Sequence, residues 1–216
     1  KENTMILLEG EAGTGKSFVA ENLGRKMGQV FVCNMSQTLQ LEDLWGQFVT
    51  EDEQSSFLPG PLYQWVHDKP TEGKYTTLVI DEATIAKKGS WEMFEGLNKE
   101  PPTIQINGKP YELSPHHRII FTGNPTSYKG RVADSFYDKN VFRCTYPKLS
   151  SSYLKGLLEE TLAKTTQNKS EISEHLLDLE YTTIRELLDI VATINYLERP
   201  GATQGPDLIG RAIGYV

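Results

Sequence analysis

The chain has 216 residues, of which 38% are hydrophobic, and its formal net charge is −7 at pH 7. This length and apolar content suit one sizeable α/β core, or such a core with a small lid. The acidic balance argues against a protein that binds nucleic acid non-specifically over its whole surface.

The chain contains no run of about 18 apolar residues, so the sequence predicts no transmembrane helix. The sequence shows no signal-peptide pattern before the first predicted strand, and targeting signals are expected to lie elsewhere if the protein is longer. Cys33 and Cys144 both fall in predicted strands far apart in sequence, and we expect two buried, reduced thiols, which favour a cytoplasmic protein. Because the chain begins at Lys1 and ends at Val216 inside a helical pattern, we expect it to be a piece of a longer protein.

The first predicted elements are a buried strand over residues 5–8 and a helix with apolar residues four apart, at Val19, Leu23 and Met27. Between them lies the pattern G-x-x-x-x-G-K-[ST]. Its glycines allow a tight turn that directs backbone N–H groups and the helix N-terminus at a polyphosphate. The lysine of such a loop reaches the β- and γ-phosphates, and the hydroxyl after it binds Mg²⁺. We therefore predict a site for a nucleoside triphosphate and Mg²⁺ formed by Gly10, Glu11, Ala12, Gly13, Thr14, Gly15, Lys16 and Ser17.

Strands and helices then alternate, with strands predicted at 30–33, 77–80, 118–122 and 141–145 and helices at 61–66 and 92–97. Such alternation predicts an α/β fold with a parallel sheet and crossover helices. From Ser150 onward the apolar pattern is helical only. We expect an α/β nucleotide-binding body over residues 1–149 and a small helical lid over 150–216, incomplete at its C-terminal end.

Two acids, Asp81 and Glu82, end the apolar strand that precedes them. A carboxylate at that position can hold Mg²⁺ directly or through water, so we predict Asp81 as a metal ligand beside Ser17. Glu82 is predicted to polarise the water that attacks the γ-phosphate. The alternative for the pair is a solvated turn.

Asn124 ends the next buried strand. In a parallel sheet the strand ends gather at one edge, where ligands bind, so its amide is predicted to orient the same water or contact the γ-phosphate. An ordinary turn residue before Pro125 is the alternative.

Taken together, these motifs resemble an AAA+ ATPase module with the P-loop NTPase fold. The phosphate loop corresponds to Walker A, residues 78–82 to Walker B and Asn124 to sensor 1. Within that superfamily the chain resembles the MoxR-like branch related to dynein and midasin. Three segments carry this likeness: 44–46 is similar to its DLxG, 57–62 to its GPL segment and 121–125 to its ATxNP. The resemblance implies ATP and Mg²⁺ as ligands.

Two predicted hairpins also fit this branch. Asn107-Gly108, a strong turn dipeptide, separates alternating apolar residues just before the strand that ends at Asn124. A second hairpin is predicted to join residues 48–49 to 57–58. In the family such hairpins tend to line or overhang a central pore, and a plain surface hairpin is the alternative.

The resemblance further implies two cationic groups. Arg185, near the start of the last long helix, is similar to the sensor 2 arginine of the lid, and a solvated surface arginine is the alternative. The family's arginine finger precedes the fifth strand, but here Lys139 occupies roughly that position, with Arg131 and Arg143 nearby. Lysine lacks the planar bidentate fork of arginine. Hydrolysis is therefore expected to be slow, or to use a different arginine or another subunit.

The combined prediction is an ATP-binding and ATP-hydrolysing domain of a larger protein that remodels or moves a macromolecular client. The resemblance implies a ring of identical or paralogous subunits, often six, with a protein client favoured over nucleic acid and no membrane partner. The expected catalytic residues are Glu82, Asn124, Lys16 and Arg185. A nucleotide-gated binding platform with little hydrolysis is one alternative. A P-loop small-molecule kinase is another, and the scarcity of arginine in the lid region argues against it.

Overall fold

A computed structural model describes residues 5–36, 42–51, 54–125 and 134–148, together with residues 150, 152, 153, 156 and 160. The chain divides into two compact units, Lys1–Glu11 with Lys16–Tyr146, and Ala12–Gly15 with Pro147–Val216. Every element described below belongs to the first unit. The predicted helical lid lies almost wholly outside the described residues, as does Arg185.

The elements of the first unit follow in chain order. They are β1 (Met5–Glu9), α1 (Lys16–Met27), β2 (Gly28–Asn34), α2 (Glu42–Trp45), β3 (Gly46–Glu51), β4 (Gln54–Pro59), α3 (Pro61–His67), β5 (Tyr75–Asp81), β6 (Thr103–Ile106), β7 (Lys109–Glu112), β8 (His117–Gly123), α4 (Ser135–Asn140) and β9 (Phe142–Thr145). Short 3-10 helices cover Ala83–Ile85 and Glu92–Asn98.

A five-stranded parallel sheet forms the centre of this unit, in the order β2-β5-β8-β1-β9. Because every pair is parallel, the carboxyl ends of the strands lie along one edge, where their last residues are neighbours. The predicted α/β class with a parallel P-loop NTPase sheet is confirmed.

The three inner strands are buried on both faces, as expected for a parallel sheet covered on two sides. On one face Leu78 and Ile119 pack in a large core with the aromatic side chains of Trp65, Trp91 and Phe94. The opposite face is covered by α1, which packs Ala20 against Val79 and Ile120. The three tryptophans are packing groups, since Trp65 and Trp91 are fully buried and Trp45 packs against the same core.

Both predicted hairpins form, as the antiparallel pairs β3–β4 and β6–β7. The turn between β6 and β7 places Asn107 at φ 51° and Gly108 at φ 74°. Positive φ at both central turn residues matches the twist of the flanking strands, which explains the Asn-Gly pair.

The structure corrects the expectation that both cysteines are buried. Cys33 is buried, whereas Cys144 is exposed, as are all four residues of β9. Both cysteines lie on edge strands of the sheet, and the difference is that Cys33 packs in the large core. Within the described residues, no helix is long and apolar enough to cross a membrane.

Candidate functional site

The glycine-rich loop connects β1 to α1, which is the predicted strand–loop–helix order. Gly13 and Gly15 have φ values of 73° and 89°. A side chain is strained in this region of backbone space, so the glycine spacing of the motif answers a backbone requirement of the turn. The loop ends where Lys16 and Ser17 begin α1.

Lys16 is almost completely buried, with 6% of its surface exposed. Its ammonium group donates to Oδ1 of Asn124 at 3.1 Å and to the backbone oxygen of Glu11 at 2.6 Å. Both of these acceptors are uncharged. The structure therefore brings together two of the predicted catalytic residues, one from the start of α1 and one directly after β8.

Asp81, at the end of β5, accepts hydrogen bonds from three side chains. Ser17 Oγ and Thr122 Oγ1 each donate to Oδ1 at 2.5 Å, and Asn34 Nδ2 donates to Oδ2 at 3.0 Å. The two predicted metal ligands, Ser17 and Asp81, are thus in direct contact although 64 residues separate them in sequence.

Glu82, the predicted general base, lies one residue beyond β5 in the left-handed region, with φ 56° and ψ 31°. This conformation costs a non-glycine residue roughly 1–2 kcal/mol, so the surrounding structure must hold it. Its backbone N–H donates to Oγ1 of Thr122 at 3.2 Å, and the 3-10 helix Ala83–Ile85 follows directly. The side chain is partly buried.

Sequence reasoning assigned no role to Asn34 or Thr122, which both contact Asp81. Asn34 is the last residue of β2, so the rule that identified Asn124, a polar residue where a buried strand ends, also applies to it. Thr122 lies two residues before Asn124, and alternate strand residues share one face of the sheet. The two-residue spacing from Asn124 could therefore have identified Thr122 as a residue of the site.

The buried thiol of Cys33 lies beside this carboxylate. Burial, and then the negative charge of Asp81, raise the pKa of Cys33 to about 12. The thiol is therefore neutral near pH 7 and adds no charge to the site.

The donor set fits a hard divalent cation such as Mg²⁺. The Ser17 hydroxyl gives its one proton to Asp81, which leaves its oxygen lone pairs available. Carboxylate and hydroxyl oxygens suit Mg²⁺, which is usually held by one or two protein groups together with substrate phosphates and water. The described part of the chain contains no cluster of three or more His, Cys, Asp or Glu that could hold a metal.

The candidates for an arginine finger differ in their surroundings. Lys139 is exposed on α4. Arg143, on β9, forms ion pairs with Asp138 at 2.9 Å and Glu9 at 3.8 Å. Arg131 lies outside the described residues. In this arrangement the Arg143 guanidinium is engaged by two carboxylates, while Lys139 is on the surface.

Comparison with known families decides the assignment. Residues 5–139, well over half of the chain, match the family model of the AAA domain, dynein-related subfamily. The chain belongs to this family. The resemblance that its motifs predicted is therefore confirmed, and membership of this family implies nucleotide binding. A comparison with curated proteins gives no match.

Solved structures support the same fold. The chain is similar to the structure of a RuvB point mutant from Thermotoga maritima, with a TM-score of 0.59 and 12% sequence identity. The likeness covers 98% of this chain and 61% of that one, so the chain spans less than two thirds of the length of the RuvB structure. At this identity the likeness concerns the fold alone.

Proposed function

We propose that this chain binds ATP with Mg²⁺ and hydrolyses the γ-phosphate, as the ATPase domain of a larger protein that remodels or moves a macromolecular client. The observation that carries the proposal is the contact of Ser17 with Asp81, since it joins the end of the phosphate loop to the acidic strand end. Membership of the dynein-related AAA family supports it.

In this proposal the loop from Gly10 to Ser17 binds the phosphates, and the Lys16 ammonium neutralises part of their charge. Ser17 and Asp81 would hold Mg²⁺, which would supply further positive charge to the phosphate oxygens. The buried position of Lys16 favours such a role because a cation in low dielectric interacts strongly with an anion.

Glu82 accepts a proton from the water that attacks the γ-phosphorus. A new P–O bond forms to that water as the bond to the β–γ bridging oxygen breaks, and ADP leaves with the bonding electrons. Asn124 orients the attacking water or the γ-phosphate. Its contact with Lys16, at the start of α1, supports this role. The proposed role of Arg185, the γ-phosphate sensor of the lid, rests on sequence resemblance alone.

The variant Glu82→Gln tests the proposal, because it removes the proton acceptor and keeps the side chain's shape. We expect ATP binding to remain and phosphate release to stop. Glu95→Gln is the matched control, since Glu95 is an exposed glutamate in the neighbouring 3-10 helix. Unchanged steady-state hydrolysis in the Glu82 variant would remove Glu82 from its role.

Product analysis separates the alternatives. Free phosphate supports an ATPase, and a phosphorylated acceptor would indicate a kinase. Wild-type protein that binds ATP without turnover at any protein concentration would identify a nucleotide-gated platform.

We also propose a ring as the working assembly, since members of this family typically form rings. In that arrangement each subunit comprises a nucleotide-binding body over residues 1–149 and a helical lid over 150–216, and a protein is the favoured client. Hydrolysis per subunit should then rise with protein concentration as subunits assemble. Sizing the protein with and without a non-hydrolysable ATP analogue measures the assembly directly, and a monomer under both conditions would contradict the ring.

A further inference from the structure

The hydroxyl of Thr122 lies between the two acidic residues of the site. It donates a hydrogen bond to Oδ1 of Asp81 at 2.5 Å and accepts one from the backbone N–H of Glu82 at 3.2 Å. Thr122 is 1% exposed. One buried oxygen thus contacts the carboxylate of the first acid and the peptide group of the second.

These two bonds act on groups whose conformation matters for the site and has alternatives. The Asp81 carboxylate has a rotatable side chain, and its orientation decides whether an oxygen faces Ser17. Glu82 has the left-handed backbone conformation, which is unfavourable for a non-glycine residue and persists only where neighbours hold it. Thr122 belongs to β8, whose inner residues are fully buried, so it provides a fixed reference for both acids.

Neighbouring contacts lock the same segment to the end of β8. Thr84 Oγ1 donates to the backbone oxygen of Asn124 at 3.4 Å, and Thr84 packs directly over Gly123. The turn that carries Glu82 is therefore held against β8 at two successive points.

We propose that Thr122 is a positioning residue that fixes the orientation of the metal-binding carboxylate of Asp81 relative to the backbone of Glu82. It contacts neither nucleotide nor water in this role and acts only through these two acids. This inference rests on the proposed function, because it concerns how the predicted metal ligand and general base are held.

The test compares Thr122→Val, which replaces the hydroxyl by a methyl group of similar size, with Thr122→Ser, which keeps the hydroxyl. Thr77→Val is the matched control, since Thr77 is a buried threonine of the adjacent strand β5 whose hydroxyl has no hydrogen-bond partner among the described residues. The full chain is used throughout.

The first measurement is amide hydrogen exchange of Glu82 without nucleotide, followed by NMR. Loss of the acceptor in Thr122→Val should speed exchange of this amide about tenfold, while the serine and Thr77 variants resemble wild type.

The second measurement is ATP binding as a function of Mg²⁺ concentration. The Mg²⁺ concentration for half-maximal effect should rise by about 10–100-fold in Thr122→Val, as is typical when a group that orients a metal ligand is removed. ATP binding in EDTA should not change.

Several outcomes decide the matter. Wild-type Mg²⁺ dependence and Glu82 exchange in a folded Thr122→Val variant would overturn the inference and leave the proposed function intact. Wild-type protein that binds no ATP with Mg²⁺ would overturn the proposed function and the role of Thr122 together. Should the valine variant fail to fold, Thr122→Ala removes the same hydroxyl without adding a methyl group, and the same two readouts apply.

Discussion

Replacement of Lys16 by methionine should weaken nucleotide binding without lowering the thermal stability of the nucleotide-free protein. Lys16 is 6% exposed, and its ammonium group donates to two uncharged oxygens, on Asn124 and Glu11. In the empty protein the loss of these bonds costs about 1–3 kcal/mol. Methionine also removes a buried charge, whose desolvation costs several kcal/mol. We therefore expect the melting temperature without nucleotide to change little or to rise.

In the presence of nucleotide, the wild type should be stabilised more than the Lys16→Met variant. At a ligand concentration about 100 times Kd, binding stabilises the wild type by about 2.7 kcal/mol. For a chain of this length that corresponds to roughly 5–11 °C in Tm. A charge-assisted hydrogen bond to phosphate contributes about 3 kcal/mol, so its loss raises Kd about 10²-fold. The same ligand concentration then stabilises the Lys16→Met variant by only about 0.4 kcal/mol, roughly 1–2 °C.

Thermal unfolding of both proteins with and without ATP and Mg²⁺ measures these shifts. Lys26→Met is the control, because Lys26 is an exposed lysine in the last turn of the same helix, and its nucleotide-dependent shift should equal that of the wild type. A Lys16 variant that gains as much Tm from ATP as the wild type would refute the assignment of the loop.

Three further predictions follow from packing and titration. In Gly123→Ala the new Cβ would lie 2.3 Å from Cγ2 of Thr84, so unfolding measurements should show a loss of about 1–3 kcal/mol, accompanied by slower ATP turnover. An alkylating reagent at pH 8 should modify only Cys144 in the native protein and both thiols in the denatured protein, because burial raises the pKa of Cys33 to about 12. Two fast-reacting thiols in the native state would contradict this. Burial lowers the pKa of His117 below its usual 6.5, although hydrogen bonds with two backbone carbonyls oppose the shift. The unfolded chain therefore binds the proton first as pH falls through 6.5. Chemical denaturation should show that the free energy of unfolding decreases below that pH, by at most about 1.4 kcal/mol per pH unit, and His117→Gln should reduce this slope.

The parts of the site that depend on local sequence could be predicted. The phosphate loop needs glycines at fixed spacing between a buried strand and a helix, and the acids at 81 and 82 directly follow a continuous apolar run. Each of these two signals is contained within a short stretch of sequence. The contact of Ser17 with Asp81 follows as well, because parallel strands gather their carboxyl ends at one edge.

The features that sequence reasoning missed depend on how distant elements pack. Cys33 and Cys144 both have a strand pattern and both lie on edge strands, but Cys33 packs in the large core whereas every residue of β9 is exposed. Asn34 reaches Asp81 because β2 pairs with β5 in a register that puts these two residues side by side. Neither the order nor the register of non-local strands can be read from one stretch of sequence, and the short helices α2 and α4 depend equally on tertiary packing.

The strand order also explains why a single carboxylate can organise the site. β5 lies between β2 and β8, so Asp81 receives Asn34 from one neighbouring strand and Thr122 from the other. Ser17 reaches it from α1. β8 in turn bonds Lys16 through Asn124, two residues beyond the contact of Thr122 with Asp81. A displacement of the start of α1 therefore acts on β8 through Lys16 and on β5 through Ser17. Because Glu82 is bonded to β8 and covalently joined to β5, its position depends on both contacts, which is the coupling that the proposed function needs between the phosphate loop and the general base.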